Sequence, residues 1–315
     1  MCLNDKAKHV SQCLELAVLL ESSADKPGNV NRTNSFERTS YEHFLASAVA
    51  IAPSFERAAE HGVDFAKKKI QLGGIGVGQI IKECMAQANE WQHGGNTLLG
   101  TVTLLSPIAV AAGMAPARNG LFEMCDIREN VKLAVEATTP QDAVDFYEAV
   151  RIANPGGLGV VSELDVNDSS SADRIRKEKI SLHQIFQSAS KYDTICSEWV
   201  NNYPITFDDA YPSLMEQLRK HSSLNDAVVQ TFLKVLAEHP DTLIARKTNL
   251  EKARETSLSA RNVLKLGGRE TVKGRELVRK FDQQLRKADN LLNPGTTADI
   301  VAAALALAIL GGYRP

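Results

Sequence analysis

The stretch HVSQCLELAVLLESSADKPGNV, residues 9–30, decides the fold class. Val10, Cys13, Leu14, Ala17 and Val18 recur at spacings of three and four, which on a helix gathers them into one apolar stripe. The pattern then stops. Pro27 has no backbone donor to continue a helix, and Gly28 allows a turn that other residues resist. At that stop the chain collects Glu21, Lys26, Asn29 and Asn31, a carboxylate, an ammonium group and two side-chain amides. A helix end needs at most a cap, so these groups are in surplus.

The same period continues outward. Phe44, Ala48, Ile51 and Phe55 form a second amphipathic stripe. Thr139-Pro140 with Asp142, Ser222-Ser223 before Asp226, and Thr296 with Asp299 each place a capping oxygen at the head of an apolar-periodic run. Alternating strand patterns are scarce. These signals predict an all-α fold, a single bundle of about a dozen helices forming one domain over residues 1–315, with glycine-rich loops around a central pocket. IVAAALALAILGG, residues 300–312, is shorter than the roughly 20 residues that span a bilayer and is expected as a buried core helix. DVNDSSSADRIRKEK, residues 165–179, lacks a core-facing pattern and is expected as an exposed loop.

Charge and composition exclude several function classes. The 315 residues are 43% hydrophobic, enough for a sizeable core, and carry a net charge of −2. That average conceals an asymmetry. Between Arg246 and Lys287 there are thirteen Lys/Arg against five Asp/Glu, a local +8 that leaves −10 on the rest. A polyanion would prefer this end, yet the acids are interspersed and Phe281 is its one aromatic residue, so a nucleic-acid partner is not expected. Five cysteines without C-x-x-C spacing suit a reducing compartment better than a disulfide framework. The amino terminus has no hydrophobic signal core. A cytoplasmic protein without a membrane partner is expected.

The breaks between helices carry the chemistry. QLGGIGVGQIIKE, residues 71–83, is a glycine cluster before a helix, but no strand precedes it and no Gly-Lys-Ser/Thr follows, so a plain turn explains it. In HGGNTLLG, residues 93–100, Gly94 and Gly95 permit close approach, while Asn96 and Thr97 offer donors and acceptors or simply an N-cap. NPGGLGVVSELDVND, residues 154–168, adds Glu163 and Asp165, which in an extended segment can share a hard cation such as Mg²⁺; solvated acids are the plainer alternative. EHPDTLIARK, residues 238–247, places His239 and Asp241, able to handle protons or metal, near Arg246, able to grip phosphate. Asp241 could equally cap a helix. In NPGTTADIV, residues 293–301, Asp299 could be the acid of a capping box. Polar groups repeatedly opening onto helix amino ends suggest a phosphorylated ligand.

Four of these segments occur in a characteristic order: Glu21 followed by KPGNV, then GGNTLLG, HPDTLIARK and NPGTTADIVAA. In this the chain resembles the triphosphoribosyl-dephospho-coenzyme A synthase family, ATP:dephospho-coenzyme A triphosphoribosyltransferases. It departs from the bacterial pattern at Leu98-Leu99, in place of a His, and at GGLGVVSELDV, as a divergent branch would. The resemblance implies an all-helical, ATP-dependent transferase. Its reaction moves the 5-triphosphoribosyl group of ATP to the 2'-hydroxyl of dephospho-coenzyme A and releases adenine. The same donor chemistry on another cofactor precursor, or a nucleotide-binding module without turnover, remains open at this point.

By that resemblance, Glu21, His239 and Asp241 are the catalytic candidates. Lys26, Gly28, Asn29, Asn31, Gly95, Asn96, Thr97, Arg246, Lys247 and Gly295 would hold nucleotide and phosphate. Asp241, Asp299 and Glu163 would hold Mg²⁺. The implied partners are ATP and dephospho-coenzyme A or a related precursor, with a homodimer left open.

Overall fold

A computed structural model describes residues 3–159, 164–220 and 223–315 of the chain. Fifteen α-helices are present among these residues, with two isolated backbone bridges and no longer strand pairing. The first six are α1 (Leu3–Ser23), α2 (Tyr41–Ala66), α3 (Val77–Trp91), α4 (Leu99–Met114), α5 (Met124–Glu136) and α6 (Pro140–Ala153). Short helices follow: α7 (Ser170–Glu178), α8 (Leu182–Ala189), α9 (Thr194–Val200) and α10 (Tyr211–Lys220). The remainder are α11 (Leu224–Glu238), α12 (Thr242–Lys247), α13 (Leu250–Lys265), α14 (Val272–Arg286) and α15 (Gly295–Leu310).

Two helices make the centre. α4 and α15 are buried on nearly every face, as all-round apolar helices must be. They pack against each other, and α1 lies against both, while α2 packs on α1 and α4. The stripe read from the sequence is the buried one: Val10, Leu14, Ala17, Val18, Ile51 and Phe55 are fully enclosed. A Cβ on Gly62 of α2 would fall 2.1 Å from the Val110 carbonyl, and one on Gly113 of α4 would fall 2.1 Å from the Ala59 carbonyl, so paired glycines set the spacing of these two helices. One continuous apolar cluster runs from Ala7 to Leu310. No described helix is long and apolar enough to cross a membrane.

Several local expectations are met, and others are corrected. Thr139 caps α6 with a full capping box through Asp142, whereas Ser223 stands at the N-cap position of α11 without a side-chain cap hydrogen bond and Ser222 lies outside the described residues. The glycine cluster forms a 3₁₀ turn, Leu72–Gly74, before α3, and the Gly78 N–H is held by Asp142 Oδ1 at 2.8 Å, which makes it a packing device. The expected loop at 165–179 instead contains α7: Ser171 and Ile175 face inward, enough for a nine-residue helix and too little for a visible period. The last helix begins at Gly295 with Pro294 as cap, so Asp299 lies beyond its first turn and is not a capping acid. A π-helical stretch, Ile205–Ala210, has no counterpart in the sequence pattern.

Candidate active site

The segment after α1 folds back on α14. Gly28 takes φ +73°, and its N–H donates to Asp282 Oδ1 at 2.8 Å. A Cβ there would lie 2.6 Å from Leu285 Cδ1, so the turn needs glycine for both backbone and space. Asn31 Oδ1 accepts from Thr33 N–H, Thr33 Oγ1 and Asn34 N–H, closing a small polar turn. Asn29 Nδ2 donates to Asn293 Oδ1 at 2.8 Å, linking this turn to the entrance of α15. Gly28 and Asn31 therefore shape the site from behind.

Glu21 and Lys26 form a buried ion pair, 3.0 Å from Oε1 to Nζ, with Lys26 fully enclosed. Lys26 also donates to the carbonyls of Glu21 and Ala24. Burial pushes Glu21 up and Lys26 down, each toward its neutral form, and their mutual attraction opposes both shifts.

Asp299 projects from α15 against α4. Thr101 Oγ1 donates to its Oδ1 at 2.6 Å, while Oδ2 receives no hydrogen bond from the described residues. A Cβ on Gly100 would fall 2.0 Å from Oδ2, so the glycine of GGNTLLG makes room for this carboxylate. Burial raises the Asp299 carboxyl well above the usual range, the Thr101 bond opposes that, and the charges of Glu21, Asp241 and Asp193 raise it further.

Asp241 is satisfied on both oxygens. Oδ1 accepts from the Leu243 and Ile244 N–H groups at 2.9 and 3.1 Å, capping α12. Oδ2 accepts from Thr297 N–H and Thr297 Oγ1, both at 2.8 Å, clamping the start of α15. Four donors fill a carboxylate, so Asp241 holds two helix entrances together. Burial raises its carboxyl, and these hydrogen bonds work against the shift.

Beside these acids opens a cleft of about 400 Å³, within the range of ligand pockets. Of the expected residues, Gly95, Asn96 and Lys247 line it. Gly95, at φ +80°, has open space where a side chain would be. Asn96 Oδ1 accepts the Leu99 N–H at 3.1 Å, and Thr97 turns away to bond Ser47. Lys247 Nζ donates to the Asn290 carbonyl at 3.1 Å; burial and then Arg246 lower its pKa. Glu21, Lys26, Asp241 and Asp299 do not line the cleft; Leu243, whose N–H donates to Asp241, and Asn293, bonded to Asn29, do.

Other expected residues lie apart from the cleft lining. Arg246 pairs with Asp193 at 3.3 Å. His239 Nε2 meets Asp209 Oδ2 at 2.9 Å, at the end of the π-helical stretch, and forms with Asp209 and Glu238 a separate surface cluster. Gly295 gives room to Leu243, whose Cδ2 would lie 2.5 Å from a Cβ there. Asp165 Oδ1 accepts the Asn167 N–H at 2.7 Å in a local turn, and Glu163 lies outside the described residues. The cleft also contains Phe36, Arg38 and Thr39, whose only mark in the sequence is one aromatic and one basic residue in the otherwise polar NSFER.

Residues 7–315 match the family described as CitG, ATP:dephospho-CoA triphosphoribosyl transferase. The chain belongs to that family. It is 22% identical over 292 residues to a probable 2-(5''-triphosphoribosyl)-3'-dephosphocoenzyme-A synthase of Pseudomonas syringae pv. tomato (strain ATCC BAA-871 / DC3000), covering 92% of this chain and 86% of that one. A relative of the same name from Pseudomonas savastanoi pv. phaseolicola (strain 1448A / Race 6) is 28% identical over 113 residues, 36% of this chain and 37% of its own. A crystal structure from Archaeoglobus fulgidus assigned to triphosphoribosyl-dephospho-coA synthase superposes with a TM-score of 0.62 at 22% identity, covering 86% of this chain and 100% of the other, so the helical fold is shared. As a member of the CitG family the chain is a transferase.

Proposed function

We infer that the chain transfers the 5-triphosphoribosyl group of ATP to the 2'-hydroxyl of dephospho-coenzyme A. The hydroxyl oxygen bonds to C1' of the ATP ribose, the C1'–N9 bond breaks, adenine leaves with the bonding pair and takes up a proton, and the hydroxyl proton passes to a base. The triphosphate stays on the transferred sugar. The observation that carries this reading is the Asp299 carboxylate, one oxygen fixed by Thr101 and the other without a donor among the described residues, in a chain of this family with a polar cleft.

The residues fit a hard cation. Asp299 Oδ2 receives no hydrogen bond from the described residues, and burial first, then three neighbouring carboxylates, raise the Asp299 carboxyl, a cost that a cation relieves. Through Oδ2, Asp299 would hold Mg²⁺, which when bound would offset triphosphate charge. Lys247 and the Gly95 N–H receive phosphate oxygens. Glu21, lifted toward neutrality by burial, takes the hydroxyl proton, and Lys26 steadies the resulting charge. Charge developing on the ribose in the oxocarbenium-like transition state is met by Asp299.

Incubation with ATP, Mg²⁺ and dephospho-coenzyme A should release adenine and give a product heavier by the triphosphoribosyl group in mass analysis. Adenine without dephospho-coenzyme A would make water the acceptor. No adenine from an enzyme that binds both substrates would sink the assignment.

A further inference from the structure

Phe36 lines the cleft, and its ring carries the Arg286 guanidinium 5.6 Å from the centroid. Arg286 is fixed in turn: Nε donates to Asp282 Oδ1 at 2.8 Å, and Nη2 donates to the Asn29 carbonyl. The Phe36 N–H donates to the Thr39 carbonyl at 2.9 Å, and Thr39 Oγ1 donates to the Gly94 carbonyl at 2.6 Å. The ring thus belongs to a closed frame that joins the turn after α1, helix α14 and the glycine loop before α4. It is only partly covered. Phe44, Leu243 and Leu291 give the same cleft further apolar surface, while Lys247, Asn290 and the 94–96 loop give it polar surface.

A cleft with a rigid, half-covered aromatic and a separate polar wall suits a ligand that is flat and apolar at one end and anionic at the other. We propose that Phe36 is the stacking platform for a purine base, with Arg286 as the positioning residue behind it. The proposal rests on the cleft being the nucleotide site. A cation on one side of the ring draws its π electrons toward itself, which lets the other side meet an electron-rich purine with less repulsion. Trp91 offers no competing platform: it is 62% exposed and absent from the cleft lining. Purines enter this reaction twice, in ATP and in dephospho-coenzyme A, and stacking alone serves either.

The test is calorimetric titration of wild type, Phe36→Leu and Phe36→Trp with ATP, dephospho-coenzyme A and sodium tripolyphosphate. Phe36→Leu should weaken binding of a purine ligand about tenfold or more, the usual scale of base stacking, and leave tripolyphosphate unchanged. Phe36→Trp should retain affinity, and its indole fluorescence should be quenched by the ligand that stacks. Loss confined to ATP places the donor base on Phe36; loss confined to dephospho-coenzyme A places the acceptor base there. Equal ATP and dephospho-coenzyme A affinity in wild type and Phe36→Leu overturns the proposal while the nucleotide cleft stands. Wild type that binds none of the three ligands overturns both.

Discussion

Thr101 Oγ1 donates to Asp299 Oδ1 at 2.6 Å across the α4–α15 contact, which directs Oδ2 over Gly100 with no donor among the described residues. A carboxylate held by one oxygen and left open at the other is poised for a cation or a developing positive charge. Asp299→Asn should lower the rate of adenine release by about a hundredfold or more, the scale for losing one preorganised electrostatic contact in an active site. Its thermal midpoint should not fall, because the substitution also removes a charge that Glu21, Asp241 and Asp193 oppose. A variant that turns over normally would remove Asp299 from the chemistry.

Asp241 behaves oppositely. Replacing it by Asn puts a donor where Oδ1 or Oδ2 accepts two hydrogen bonds, so buried N–H groups of Leu243 and Ile244, or of Thr297, lose their acceptor. The expected cost is about 2–3 kcal/mol, from a lost helix cap and an unsatisfied buried donor. Urea unfolding measures it. A loss of activity with stability unchanged would return Asp241 to a direct catalytic role.

Gly28→Ala should destabilise by about 2 kcal/mol, because the residue sits at φ +73° and the new methyl meets Leu285. The clash can be separated from the backbone strain. Adding Leu285→Ala opens space, so the pair should cost less than the two single changes summed. Simple additivity in a double-mutant cycle would show that the contact with Leu285 is not what selects glycine.

Glu198 gives the fold a pH response. It is fully buried and accepts the Ile205 and Thr206 N–H groups at 2.9 and 2.8 Å where the π-helical stretch begins. Burial lifts its carboxyl from 4.5 to about 6, against the pull of these bonds. The folded state therefore binds a proton more readily than the unfolded state between those values. The carboxylate costs stability above pH 6, and the cost is relieved as pH falls through 6 toward 4.5, by about 2 kcal/mol in all. Urea midpoints at pH 5 and pH 7 for wild type and Glu198→Gln should differ in this slope; identical slopes would remove Glu198 as its source.

The period of 3.6 made most helices visible in the sequence, because α1, α2 and α15 bury stripes or whole surfaces that only apolar residues fill. Helix α7 escaped because two inward residues in nine set no period. The polar breaks were legible as a set, since helix ends rarely need so many charges and amides. Their division of labour was not. Whether Asp241 caps a helix or faces a ligand depends on Thr297, 56 residues away, and the open oxygen of Asp299 depends on Thr101, 198 residues away. His239 stood in the same segment as Asp241, yet α11 ends so that it meets Asp209 instead of the cleft. Phe36 had no signal beyond its own identity, for the Arg286 guanidinium against its ring comes from a helix at the other end of the chain.

The Glu21–Lys26 pair separates stability from chemistry. Lys26→Met keeps the length of the side chain but leaves Glu21 buried without its ammonium partner, and breaking a buried pair from one side costs about 3–5 kcal/mol. Glu21 should respond by taking up a proton, so part of that loss should return as pH is lowered. Replacing both residues, Glu21→Leu with Lys26→Met, removes both buried charges and should recover most of the stability in urea unfolding. It should not recover adenine release, because the group that takes the hydroxyl proton is gone. A double variant that regains both would reduce the pair to a packing element. One that regains stability alone would show that Glu21 and Lys26 are kept buried and charged, against their desolvation, for the reaction.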